Sequence, residues 1–234
     1  VLPVSLTDTR YLGLPENGLS LMHWNAMVTS QRSLQALWES AVIGAAATVI
    51  ALVCGTACAI GSWRLSNRWA DTARLVMLAP LILPPIIYAL GLYRVYVTFE
   101  LLDTRLGVII AHAVTALPYV VITVSASLAN FDIKLEQAAR SLGATLPQTV
   151  RRVILPAITP GVLSGAIFAF VHSWDELVVT LFIAGRDVFT MPRLMWDGIN
   201  ESLDPMIAAV ASAMMLLSLA LFAINAAIKP KTER

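Results

Sequence analysis

Charge is the scarcest commodity in this sequence. Of 234 residues only 13% are Asp, Glu, Lys or Arg, and 58% are hydrophobic. Globular domains carry about a quarter charged residues, so half that share confines the charges to short segments and leaves long apolar stretches between them. The net charge of +1 gives no electrostatic footprint for nucleic acid. Cysteine is nearly absent: Cys54 and Cys58 sit one helical turn apart in an apolar run. Two thiols make neither a zinc site nor a disulfide framework, and small packing residues are the simpler reading. No phosphate-cradling G-x-x-x-x-G-K-[ST] loop occurs, and Ser, His and Asp are scattered without a supporting motif, so hydrolytic chemistry has no visible seat in this chain. There is no signal-peptide pattern, no initiator methionine, no strong internal repeat and no low-complexity tract.

What is present is apolar length. A membrane-spanning helix needs roughly 20 mostly apolar residues, and five stretches qualify: Leu37 to Trp63, Leu75 to Tyr93, Leu106 to Leu128, Gly161 to Ala184 and Met206 to Ile228. The fold class expected is all-α, a polytopic transmembrane helix bundle. Orientation follows from Lys and Arg. The segments 64–74, 129–160 and 229–234 hold Arg64, Arg68, Arg74, Lys134, Arg140, Arg151, Arg152, Lys229, Lys231 and Arg234. The opposite side holds only Arg10, Arg32, Arg94, Arg105, Arg186 and Arg193, together with most of the acids. The first side is therefore cytoplasmic, and residues 1–36 lie outside. An outer N-terminus without a signal peptide is explained by one further helix before Val1, giving six spans in the parent chain. The expected organisation is an external segment 1–36, a transmembrane domain 37–228 that includes the cytoplasmic loop 129–160, and a cytoplasmic tail 229–234.

Within the outer segment, Gly13, Pro15, Asn17 and Gly18 mark turns, and Leu21 to Ser33 is a possible short helix. Trp24, Trp38 and Trp63 suit interfacial positions. Pro80, Pro84 and Pro85 interrupt the second span. Proline removes a backbone donor and kinks a helix. Lipid cannot satisfy the freed carbonyls, so this stretch faces protein or a water-filled path, or is a plain kink. In the first span Gly44, Ala47, Thr48, Ala51, Gly55 and Ala59 allow close helix approach.

The loop 129–160 is built like structure rather than linker. Asp132 is an N-cap candidate, and Ile133 to Leu142 is made of good helix formers. Leu135, Ala138, Ala139 and Leu142 share one face. Gly143 suits a C-cap, and a second short helix runs from Pro147 to Val153, ended by Leu155-Pro156. An apolar stripe on a cytoplasmic elbow needs a cover. That cover is the chain's own helices, lipid, or a groove on a cytoplasmic protein.

Glu136-Gln137-Ala138-Ala139, three residues, Gly143, nine residues, Val153, one residue, Leu155-Pro156 resembles the EAA motif of ABC importer permeases, with Val153 where isoleucine is common. The resemblance implies that the loop is a coupling helix seated in a cleft on an ATP-binding subunit. Glu136, Ala138, Ala139 and Gly143 would lie at that contact, with Leu155 and Pro156 closing the motif. The order of segments resembles the type I ABC importer permease fold over essentially the whole chain. Ser173 to Phe182 and Met191 to Ile199, followed by Asp204-Pro205, resemble the spermidine/putrescine branch, which also includes importers of opines and other small amino compounds. The partners implied are an ATP-binding subunit dimer, a second permease subunit (a sibling or a copy), a periplasmic solute-binding protein and membrane lipid. No cofactor is expected on this chain, and ATP and Mg would reside on the partner. The location implied is the bacterial inner membrane.

Trp174, Asp175 and Glu176 are the candidates for the translocation path. Asp175 and Glu176 fall inside the expected fourth span, where a lipid-facing charge costs about 2.5–3.5 kcal/mol. At 1.5 Å per residue Asp175 lies about 20 Å from the inner end. The two acids either meet an amine-bearing solute or anchor helices to one another. His172, one turn earlier, is a potential partner; His112 and His23 are weaker candidates. Two other readings compete with a primary-transport permease. An ion-coupled secondary transporter would use the two acids as ion sites, but the coupling motif and the lack of an inverted repeat argue against it. A structural scaffold leaves the acids and the broken span unexplained.

Overall fold

The computed structural model describes residues 1–9, 11, 13–15, 18–65, 67–201 and 204–228. Arg10, Asn17 and the tail 229–234 lie outside the described residues. Among those described there are helices and connecting turns, with no strand. A short α1 (Leu2–Ser5) and α2 (Met22–Thr29) precede the long α3 (Gln31–Leu65). Then follow α4 (Arg68–Ile82), α5 (Pro85–Thr98) and α6 (Arg105–Ala129). The cytoplasmic elbow holds α7 (Ile133–Ser141), α8 (Leu146–Thr149), a π-helical turn (Val150–Ile154) and α9 (Leu155–Ala157). The chain closes with α10 (Thr159–Asp175), α11 (Val178–Ile183), α12 (Met191–Glu201) and α13 (Met206–Ile228).

Among the described residues, three helices, α3, α6 and α13, are long and apolar enough to cross a membrane unbroken. Two bent pairs meet the same length and composition test. Helices α4 and α5 meet at 109° around Leu83-Pro84, as the prolines of the second span foretell. The segment 146–157 meets α10 at 73°. Helix α3 starts at Gln31, so the boundary expected at 36/37 falls inside one continuous helix. The second elbow helix does not stop at Leu155-Pro156 but continues to Ala157. Its widened π-helical turn, in which Leu155 N–H donates to the Val150 carbonyl, accommodates a residue that has no donor of its own.

Helices α3, α6 and α10 pack as one tight trio. A Cβ on Gly55 of α3 would stand 2.8 Å from Val120 Cγ1 of α6, and one on Gly165 of α10 would stand 2.7 Å from Thr123 Oγ1. Contact that close is available only to residues without side chains, and it substitutes for the hydrophobic driving force that lipid removes. Around it, Ala51, Ala116, Val120, Val124, Leu128, Ile154 and Ile158 form the inner core. An outer core centres on Ile43, Ala89, Val108, Val179 and Ile183.

The outer end is closed by polar side chains. Asp103, whose φ of 55° is tolerated by Asp better than by most residues, donates its N–H to the Ile183 carbonyl at 2.8 Å. Its carboxylate accepts the N–H groups of Gly185, Arg186 and Asp187 at 2.7, 2.8 and 3.1 Å. Partial burial pushes the Asp103 pKa up, but the backbone donors from Gly185 to Val188 together outweigh it and hold the carboxyl below its ordinary value. Arg193 donates to the Ala184 carbonyl, and Arg105 grips Glu39 with two nitrogens, Nε at 2.9 Å from Oε2.

Candidate functional site

Two places concentrate the residues singled out above: the cytoplasmic elbow and the break after α10.

Asp132 Oδ1 accepts the Lys134 N–H at 2.9 Å and starts α7. Gly143 N–H donates to the Arg140 carbonyl at 3.0 Å and Ala144 N–H to the Ala139 carbonyl at 3.1 Å. The chain can turn there because Gly143 adopts φ +84°, a region costly for any residue with a Cβ. Thr145 N–H then donates to Gln148 Oε1 at 2.8 Å, completing a capping box for α8. The elbow presents apolar side chains outward: Leu142 is 88% exposed, and Ile133, Leu135 and Leu146 are each half exposed. Ala138 is exposed and Ala139 half-buried. Leu155 points the other way, against the inner core, while Pro156 is exposed.

Glu136, which the resemblance places at the ATPase contact, does not stand on the outer surface of the elbow. It is buried and paired with Arg64, near the inner end of α3, with Arg64 Nη1 2.7 Å from Glu136 Oε1. One residue away on α3, Trp63 packs edge-on against Phe131, with ring centroids 5.7 Å apart.

At the other place, the fourth span is not one helix. Helix α10 ends at Asp175, and Glu176 takes an extended backbone conformation. Three consecutive candidates therefore point three ways. Trp174 is core: it is 3% exposed, packed with Ala36, Met191, Leu194 and Val210, and stacked on Phe170 at 5.8 Å. Glu176 serves the break itself, its Oε1 accepting the Val179 N–H at 3.0 Å at the start of α11. Its Oε2 lies 3.9 Å from His172 Nε2, and His172 packs on Tyr119. Asp175 is exposed on the wall of a cavity of ≈430 Å³ between α10, α12 and α13. Apart from Asp175 and Ser218, that cavity is lined by apolar side chains and Trp196.

His112 carries more of this break than its sequence position suggests. Fully buried on α6, it lies 2.8 Å from Ser173 Oγ of α10 and 2.9 Å from Thr180 Oγ1 of α11. It bridges the two halves of the interrupted span. His23 is a buried packing residue, its Nε2 3.0 Å from the Thr9 carbonyl. Among the described residues no group of three or more His, Cys, Asp or Glu is gathered to hold a metal ion.

A bundle of unbroken and bent apolar helices, with an apolar elbow on its positive side and a lone carboxylate on the wall of an open cavity, defines an integral membrane protein. The chain belongs to the family of binding-protein-dependent transport system inner membrane components, whose sequence model matches residues 47–234. It is 28% identical to the spermidine/putrescine transport system permease protein PotC of Haemophilus influenzae, over 98% of this chain and 89% of that protein. It is 29% identical to the putrescine transport system permease protein PotI of Escherichia coli, over 85% and 73%. A probable molybdenum ABC transporter permease of Haloferax volcanii is 31% identical over 84% and 75%. In structure it resembles a bacterial alginate ABC transporter crystallised with its pentasaccharide-bound periplasmic protein (TM-score 0.72, 13% identity, 88% of this chain and 81% of that one). It also resembles the MetNI methionine ABC transporter in inward-facing form (TM-score 0.65, 18% identity, 84% and 96%). The chain is thus an ABC importer permease of the inner membrane, with the type I importer permease fold.

Proposed function

We infer that this permease imports polyamines, putrescine or spermidine, and that ATP is hydrolysed on a separate subunit seated on the elbow. The observation that carries the solute class is Asp175. It is a carboxylate on the wall of an otherwise apolar cavity beside Trp196. A polyamine has ammonium groups joined by methylenes. Its charge pairs with a carboxylate or an aromatic face, and its stem with apolar walls. The polyamine permeases among its relatives support the same class. The molybdenum relative marks the competing class, an oxyanion, which a carboxylate on the wall repels. Opines and other small amino compounds remain the alternative within the amine class.

The exposed Leu142, Leu135 and Leu146 support the elbow as the docking face for an ATP-binding subunit dimer, which carries ATP and Mg. A second permease subunit completes the path, and a periplasmic binding protein delivers the solute. ATP closes the ATPase dimer, the elbows are drawn together, and the bundle passes from inward- to outward-facing. Such a switch requires the nucleotide to favour one state over the other.

The test is uptake of radiolabelled putrescine and spermidine into proteoliposomes holding the reconstituted complex, with ATP and binding protein added or withheld. Uptake that requires both is expected. Asp175→Asn is expected to lower it about tenfold or more, the loss of one charge-assisted contact, with the complex still assembled. Normal uptake by that variant removes Asp175 from the path, and ATP-driven uptake of molybdate instead of amines reverses the solute class.

A further inference from the structure

We propose that Arg64 is a positioning residue through which the elbow drives α3, so that Glu136 acts inside this chain instead of on the ATPase surface. The proposal rests on the permease reading above and adds the route by which movement of the elbow enters the bundle.

Three observations carry it. First, Glu136 is 7% exposed and its carboxylate oxygen is 2.7 Å from Arg64 Nη1. A carboxylate turned inward and already paired has little left to offer a partner. Second, Trp63 meets Phe131 on the same end of α3, so charge and ring fix the elbow to α3 at two points. Restraint at two points leaves α7 little freedom to swing independently of α3. Third, α3 is one helix of 35 residues, about 52 Å long at 1.5 Å per residue, and its far end is equally engaged. There Glu39 is gripped by Arg105, Arg32 pairs with Asp197 at 3.3 Å, and Ser40 Oγ accepts the Met191 N–H at 2.8 Å. Between its ends α3 is wedged against α6 at Gly55. A displacement at Glu136 is therefore delivered to a stiff strut whose other end holds α12 and the start of α6.

The two side chains are only 20% and 10% exposed, so removal of one partner leaves the other charge poorly solvated. That predicts more than a loss of fit. Reversal of the two charges should restore the connection, whereas a Glu136 that bound the ATPase directly could not be rescued from α3.

The experiment uses the reconstituted complex with Arg64→Gln, Arg64→Lys, Glu136→Gln and the reversal Arg64→Glu/Glu136→Arg. Copurification of the ATPase subunit, ATP hydrolysis and solute uptake are measured in each. For Arg64→Gln, the ATPase is expected to copurify, and solute taken up per ATP hydrolysed to fall about tenfold, the size of an ordinary coupling free energy. Arg64→Lys and the reversal are expected to recover most of it. Unchanged uptake per ATP in Arg64→Gln overturns the proposal. So does loss of ATPase copurification in Glu136→Gln that the reversal fails to repair, since that places Glu136 on the partner. Should the reversal fail to fold, Arg64→Lys against Arg64→Gln decides the same point. If the unaltered complex shows no ATP-dependent uptake, it is the permease reading beneath the proposal that fails.

Discussion

The elbow at 129–160 and the outer connection at 184–190 are both loops between membrane helices, and they are built on opposite principles. The outer connection is tied into the bundle. Asp103 collects three of its N–H groups, Arg193 takes the Ala184 carbonyl, and Val188 lies buried in the outer core. The elbow caps its short helices, yet leaves Leu142, Ile133, Leu135 and Leu146 exposed. An apolar surface of this kind, at the positive and therefore cytoplasmic end, is made to be covered. The comparison teaches that one loop holds the bundle in shape and the other presents a face.

Asp103→Ala tests the outer connection most severely. Losing a charged acceptor shared by several N–H groups should destabilise the protein by about 2 kcal/mol, measured by chemical unfolding in detergent, while ATPase binding at the elbow is unaffected. The pH dependence has a defined sign. Because the folded-state pKa of Asp103 is lowered, its contribution is fully present above the unfolded value of about 3.9. It is lost as pH falls through the still lower folded value. The stability gap between the native chain and Asp103→Asn should therefore stay constant from about pH 5 to about pH 8 and close only in stronger acid. A gap that closes near neutral pH contradicts the assignment.

Gly143→Val tests how the elbow is shaped. A β-branched residue at φ +84° should cost about 1–2 kcal/mol, felt as a weaker hold on the ATPase subunit and not as unfolding of the bundle. The smallest effect belongs to Arg32→Ala. Its pair with Asp197 spans 3.3 Å, but Arg32 is 55% exposed, so solvent screening should hold the change to less than about 1 kcal/mol in the same unfolding assay.

The division between what could and could not be read from the sequence follows the range of the forces involved. Continuous apolar runs marked α3, α6 and α13, and Pro84-Pro85 marked the bend before α5, because these signals are local. Asp132 and Gly143 announced the elbow for the same reason. The end of α10 at Asp175 was hidden: Leu177 to Ile183 is as apolar as the helix before it. The break is held partly by His112, whose contacts with Ser173 and Thr180 lie 61 and 68 residues away in sequence. Trp174, a path candidate beside two acids, packs in the core, and Glu136, placed by resemblance at the ATPase contact, pairs with Arg64 across the fold; neither contact has a local sign. Helix α12 left a usable sign, with Pro192 in its first turn and Met191, Leu194 and Met195 at helical spacing.

The most direct test of the difference between the two loops is copurification of the ATP-binding subunit with the native permease, with Leu142→Glu and with Arg186→Glu. A charge forced into an apolar contact should weaken binding by at least about tenfold in Leu142→Glu, whereas Arg186→Glu, on the outer connection, should retain the subunit fully. Full retention by Leu142→Glu would contradict the account, because the exposed face of the elbow would then not be what the ATPase holds.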